Sequence, residues 1–207
     1  MSNYSNFVSD FPGRCAKLLK QFEKPARYSK LEVTHMLCVA MPSILVPLER
    51  LEGPHDKSLG HPSQDWKKYE RPKSVLDDLY KQSFRGSALW PVDSLDSWCF
   101  GKLAEVTGDP DSWEELNVPK RLSRDKTVRS LLKHIRNALA HGNIFTRGRP
   151  EIEQIILLSK PDKYADKFNF LLVGPADFRA FLNHWLAFLQ KLDLPVDVVS
   201  RCEEAAA

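Results

Sequence analysis

The sequence has no CxxC pair, no HExxH or HxH motif, no internal repeat and no low-complexity segment beyond a short CEEAAA tail. Its four cysteines, at 15, 38, 99 and 202, are scattered, and none pairs with a histidine at the tight spacing that tetrahedral zinc needs. We expect no metal, no cofactor and no disulfide framework, with the thiols reduced in a cytoplasmic setting. Long apolar runs are also missing. The longest, Met36 to Leu48, falls short of the roughly 20 residues that cross a bilayer and contains Pro42 and Pro47. The first residues, MSNYSNFVSDFPGR, lack a basic start followed by an apolar stretch, so no secretory signal and no membrane partner is expected.

What is there is a chain of 207 residues, 43% apolar and 28% charged, enough to build one globular core. The net charge is only +3, yet it is unevenly spread. Lys120, Arg121, Arg124, Lys126, Arg129, Lys133 and Arg136 stand in seventeen residues against a single acid, Asp125. Arg147 and Arg149 follow. A basic stripe on an otherwise slightly acidic chain points to a polyanionic partner, although a solvated helix face has the same composition.

Apolar spacing predicts a mainly α fold. One long buried helix is expected between Ser29 and Leu51, kinked or broken by its two prolines. Residues 53–73 carry turn formers and charge and read as a loop. Shorter helices are expected near Ser74–Ser83 and Val92–Val106, the second burying Leu95, Trp98, Cys99, Leu103 and Val106. Ser123 is a candidate N-cap for the next helix, where Val128, Leu131, Leu132, Ile135 and Leu139 form a clean apolar stripe. His141-Gly142 should end it, the glycine taking the left-handed position just past the helix. Two strand-like runs, Glu151–Leu158 and Lys167–Val173, predict a β-hairpin over 151–173, inserted before a last helix that begins near Pro175. A flexible tail over 195–207 completes a single domain, a helical bundle with one inserted hairpin.

The chemically informative segment is RNALAHGN, Arg136 to Asn143. At 100° per residue from Val128, Arg136 falls near 80°, Asn137 near 180° and His141 near 220°. Asn137 and His141 are thus neighbours one turn apart on the face away from the apolar stripe, with Arg136 flanking them. A histidine there can move a proton near neutral pH, a guanidinium can hold a phosphate gaining charge, and an amide can orient either partner. A histidine at a helix end is favourable without any chemistry, because it meets the last carbonyls and the negative end of the dipole. That explanation covers His141 but not Asn137.

In this Arg136-Asn137-x3-His141 pattern the segment resembles the HEPN superfamily, helical domains whose ribonuclease members carry an arginine, a polar residue and a histidine at Rx4–6H spacing. The order of helices over about 29–192 is similar too: a long early helix, a motif helix and a closing helix. Spacing alone is weak, since Arg50–His55, Arg129–His134 and Arg179–His184 share it. Only Arg136 is followed by an amide and answered by a histidine beside glycine. The resemblance implies a metal-independent endoribonuclease in which the ribose 2′-OH attacks the adjacent phosphate. His141 would be base or acid, Arg136 would hold the phosphate and Asn137 would position the pair. Lys120, Arg121, Arg124, Arg129 and Lys133 would draw in the RNA backbone. One histidine per chain supplies one proton carrier, so a homodimer with a composite cleft is expected. A toxin or antiviral role with a neutralising, antitoxin-like partner is also implied. The alternative is a non-catalytic module that binds RNA or a nucleotide, or scaffolds a partner.

Overall fold

A computed structural model describes residues 7–52, 70–106, 108–161 and 165–192. The chain resolves into two compact units. One takes in the described residues up to Asp78 together with those from Trp185 onward; the other is Leu79–His184.

In the first unit, α1 (Phe7–Gln21), α2 (Glu23–Tyr28) and α3 (Glu32–Glu52) pack on one another. The inward side of α3 buries Val33, Met36, Ala40, Ile44, Leu48 and Leu51, a 3–4 spacing that places them along one stripe. The expected break at the prolines is absent. Pro42 and Pro47 both lie inside the continuous 21-residue helix. Pro47 has no N–H to give the Ser43 carbonyl one turn back. The Trp185 indole N–H donates to that carbonyl at 2.9 Å instead, so the buried acceptor keeps a partner. The helix is also longer than the apolar run within it. Glu32–Leu51 is long and apolar enough to cross a bilayer, but much of it is buried within the unit, as in the core helix of a globular fold. α4 (Glu70–Lys81) begins earlier than expected, so residues 70–73 are helical rather than loop. The remainder of the expected loop and the expected tail at 195–207 lie outside the described residues.

The second unit is organised by a four-stranded antiparallel sheet of β1 (Cys99–Leu103), β2 (Ile144–Arg147), β3 (Gln154–Ser159) and β4 (Phe168–Val173), in the order β1-β4-β3-β2. The expected hairpin is present as β3 and β4, but it is the centre of a larger sheet rather than an isolated insertion. Two edge strands went unforeseen. β2 is only four residues long. β1 replaces the helix expected over Val92–Val106, and the reason is where its amide hydrogens go. Asp177, only 3% exposed, accepts from the Leu95 and Ser97 amides at 2.9 Å each and from the Ser97 hydroxyl at 2.6 Å. Cys99–Leu103 then pairs with Phe168–Leu172. A helix would leave the Asp177 carboxylate buried without donors, and the extended chain satisfies it.

One sheet face carries Leu103, Ile156, Leu158, Phe170 and Leu172 against Trp113 and Leu116. The other face carries Phe100, Ile155, Leu157, Ser159, Asn169 and Leu171 by the alternation of strand side chains. Across β3 lies α5 (Val128–Ala140), which buries Val128, Leu131, Leu132, Ile135 and Leu139, the stripe read from the sequence. α6 (Pro175–Lys191) begins at the expected proline, and its first half closes an edge-to-face cluster of Phe84, Trp98 and Phe181. Among the described residues the chain is mainly α-helical with this one small sheet.

Candidate functional site

The helix that carries the motif starts one turn later than Ser123 implies. Ser123 caps a tight turn, accepting from the Asp125 amide at 3.2 Å, and Thr127 then bridges to Ser83. Thr127 is the N-cap, its hydroxyl accepting from the Ser130 amide at 3.3 Å. The far end is as expected. His141 occupies the C-cap and Gly142 follows with φ +66°. The Gly142 amide donates to Leu139 O at 3.3 Å and the Asn143 amide to Ala138 O at 2.9 Å, closing a Schellman motif. The Asn143 carbonyl accepts from the Leu158 amide at 2.9 Å. The motif helix, its terminal turn and β3 therefore share one backbone frame.

That frame brings Asn137 and His141 together. Both line an open cavity of about 500 Å³, with Asn143, Ser159, Lys160, Pro161 and Phe168. His141 is exposed, whereas Asn137 is half-buried, because the end of β3 and residues 160–161 cover the helix face that the sequence places in solvent. Arg136 does not line this cavity. It is half-buried beside it and donates to the Asn137 amide oxygen at 3.4 Å. The Arg136 and Asn137 side chains are thus linked, and Asn137 shares the cavity with His141, but the guanidinium is not part of the cavity lining.

A second cavity of about 370 Å³ adjoins the first and shares Asn137, Ser159, Lys160 and Pro161 with it. Of the expected RNA-binding residues, Arg129 and Lys133 line it. Lys120, Arg121 and Arg124 are exposed elsewhere, and Arg121 is paired with Asp96 at 3.1 Å. Arg147 and Arg149 are also removed from the basic stripe. Arg147 binds Leu116 O at 3.0 Å and the Asn117 side chain at 2.6 Å, and Arg149 pairs with Asp109 and Asp111.

The residue that the motif search passes over is His134. Only 5% exposed, it sits between α5 and β3. Its Nε2 lies 2.8 Å from Leu157 O and its Nδ1 lies 2.7 Å from Ser159 Oγ. A carbonyl can only accept, so Nε2 carries the proton and Nδ1 accepts from the Ser159 hydroxyl. Burial pushes the His134 pKa down to about 4; the Leu157 bond opposes this, and Lys126 adds to it. His134 is therefore a neutral strut whose edge also meets the Phe100 ring at 5.4 Å. His184 is likewise held, its Nδ1 2.9 Å from Ala88 O. Burial pushes the Cys15 thiol up to about 11, which leaves it a poor nucleophile. Among the described residues no group of three or more His, Cys, Asp or Glu is placed to hold a metal ion.

A family profile described as HEPN pEK499 p136 matches residues 1–194. The chain belongs to this HEPN family. No curated protein and no solved structure matches it. The HEPN match runs through both units, so the sheet and its flanking helices lie within the family's span. HEPN domains as a group are nuclease or RNA-binding domains that often dimerise.

Proposed function

We propose that this HEPN domain is an endoribonuclease that needs no metal and cleaves RNA to 2′,3′-cyclic phosphate and 5′-OH ends. The observation that carries the reading is the pairing of Asn137 and His141 on one open cavity continuous with a basic one. In the reaction, the ribose 2′-OH loses its proton to a base as its oxygen attacks the neighbouring phosphorus. The bond from phosphorus to O5′ breaks, and O5′ takes a proton from an acid. His141, exposed at the helix end, fills one of these roles. The second proton carrier would be His141 of a second copy, in a two-fold dimer that sets the two cavities face to face. Asn137 orients the attacking ribose or the imidazole, and Arg136, bonded to the amide, holds that orientation and lends positive charge to the phosphate. Cytoplasmic RNA would be the target, and such cutting fits a toxin or antiviral effector restrained by a neutralising partner.

The test is incubation of purified protein with tRNA and total RNA, with and without EDTA, followed by mapping of the ends. We expect 5′-OH and cyclic-phosphate ends in both conditions, and loss of at least a hundredfold in rate for His141→Ala with the fold and oligomeric state unchanged, as general acid–base groups contribute about 10²–10⁴. Cutting by His141→Ala at the wild-type rate would sink the assignment. One observation favours a binding-only alternative: Arg136 stands outside the cavity lining. Retarded migration of RNA without any 5′-OH product would select that reading.

A further inference from the structure

The cavity beside the motif cleft has properties that the cleavage reading does not use. Lys126, Arg129, Lys133 and Lys160 all line it, and among the described residues no Asp or Glu does. Three of these charges rest on aromatic faces rather than on carboxylates. The Lys126 ammonium lies 3.7 Å from the centre of the Phe100 ring, and Arg129 lies 5.4 Å from that of Tyr80. The Lys160 ammonium lies 5.0 Å from the centre of Phe168, which lines the neighbouring cavity. A ring holds a cation in place without neutralising it, so the positive field stays directed into the opening. Lys126 is half-buried, and burial lowers its pKa, the mark of a desolvated cation.

The floor is built to suit an anion of moderate size. Ser159 and His134 are fixed to each other and buried, Asn169 pairs with Ser159 across the strands, and Asn137 stands at the border with the next cavity. The lining ring, Phe100, is covered by Lys126 and met edge-on by His134. Among the described residues of this lining no open aromatic face offers a base a stacking platform, so the recognition is of charge rather than of base identity.

We infer that this pocket is a second phosphate subsite, taking the backbone phosphate of the nucleotide next to the one lying over Asn137 and His141. The identity of the ligand as an RNA strand rests on the proposed function; the anionic chemistry of the pocket does not. Lys126 and Lys160 are the residues on which it turns, neither of them in the exposed run of Lys120, Arg121 and Arg124.

The experiment uses uncleavable probes on the full chain, so that binding is read apart from cutting. A 2′-O-methyl trinucleotide has two phosphodiesters, and the matching dinucleotide has one. We expect the trinucleotide to bind about tenfold more tightly, as one added charge-assisted hydrogen bond implies. Lys126→Met, on a side chain that lines this pocket and not the motif cavity, should abolish most of that gain and leave the dinucleotide affinity unchanged, and Lys126→Arg should retain the gain. Lys160→Met, on an exposed side chain shared by both cavities, should abolish most of the gain and weaken the dinucleotide as well. For the trinucleotide the slope of log affinity on log salt should fall by about 0.7 for each phosphate that is no longer neutralised. His141→Ala should keep the full gain. The inference is overturned if both methionine variants retain it, or if Lys120→Met and Arg124→Met remove it instead. Inorganic phosphate that binds as tightly as the trinucleotide would assign the pocket to a free anion and overturn the strand subsite. If wild type cuts no RNA while the gain depends on Lys160, the nuclease reading fails and the subsite stands.

Discussion

The buried His134 makes a quantitative forecast about acid stability. In the unfolded chain its imidazole titrates near 6.5, whereas in the fold it titrates near 4. The unfolded state therefore binds more protons across that window. The stabilisation is fully present above about pH 6.5, declines as pH falls toward 4, and changes no further below that. Linkage over this interval gives a loss of about 2 kcal/mol between pH 8 and pH 5, and about 3 kcal/mol at the acid limit. The perturbation is acidification of wild type and of His134→Gln, which cannot titrate at this position. Urea unfolding followed by tryptophan fluorescence at a series of pH values reads the difference in slope, which cancels the other titrating groups. The ring's own NMR titration in the folded protein gives an independent check. Equal acid losses in the two proteins, or a folded-state midpoint near 6.5, would refute the neutral-strut assignment.

Two further substitutions probe the frame. Gly142→Ala meets no neighbouring atom within 4 Å, yet forces a side chain into φ +66°. It should cost about 1–2 kcal/mol in denaturant unfolding and, by loosening the C-cap, slow RNA cleavage more than it alters RNA binding. Trp185→Phe removes the donor to Ser43 O and should cost about 1–3 kcal/mol, the penalty for a buried unpaired acceptor. Pro47→Ala in that background supplies a backbone N–H to the same carbonyl, so a double-mutant cycle should show recovery; strictly additive losses would refute the replacement.

Elements set by local periodicity were legible. The stripe of α5, the Gly142 terminus and the Pro175 start of α6 follow from spacing and capping chemistry within one helix. α1 is obscured because Pro12 and Gly13 interrupt its interior and read as a turn. β1 is obscured for another reason. Trp98 and Leu103 are buried, but Leu95, which completes their apparent helical spacing, is exposed. What fixes the strand is Asp177 and β4, some seventy to eighty residues away, which no local pattern reveals. At the site, the helical wheel put Asn137 and His141 one turn apart with Arg136 to one side; Asn137 and His141 line one cavity and Arg136 does not. The wheel could not show Ser159 or Lys160, because these reach α5 only through strand pairing. Nor could it distinguish the cations facing a cavity from Arg121, which answers Asp96.

The hydrogen bonds from His134 to Leu157 and from Ser159 to His134 have a consequence for recognition. They tie the two walls of the basic cavity together before any strand arrives. An incoming polyanion then finds its polar floor already rigid, and the ordering entropy of association falls mainly on a few lysine and arginine rotamers, about 0.5–1.5 kcal/mol for each side chain immobilised. Complex formation should accordingly be fast and reversible, with selectivity residing in the spacing of the charges rather than in a closing movement.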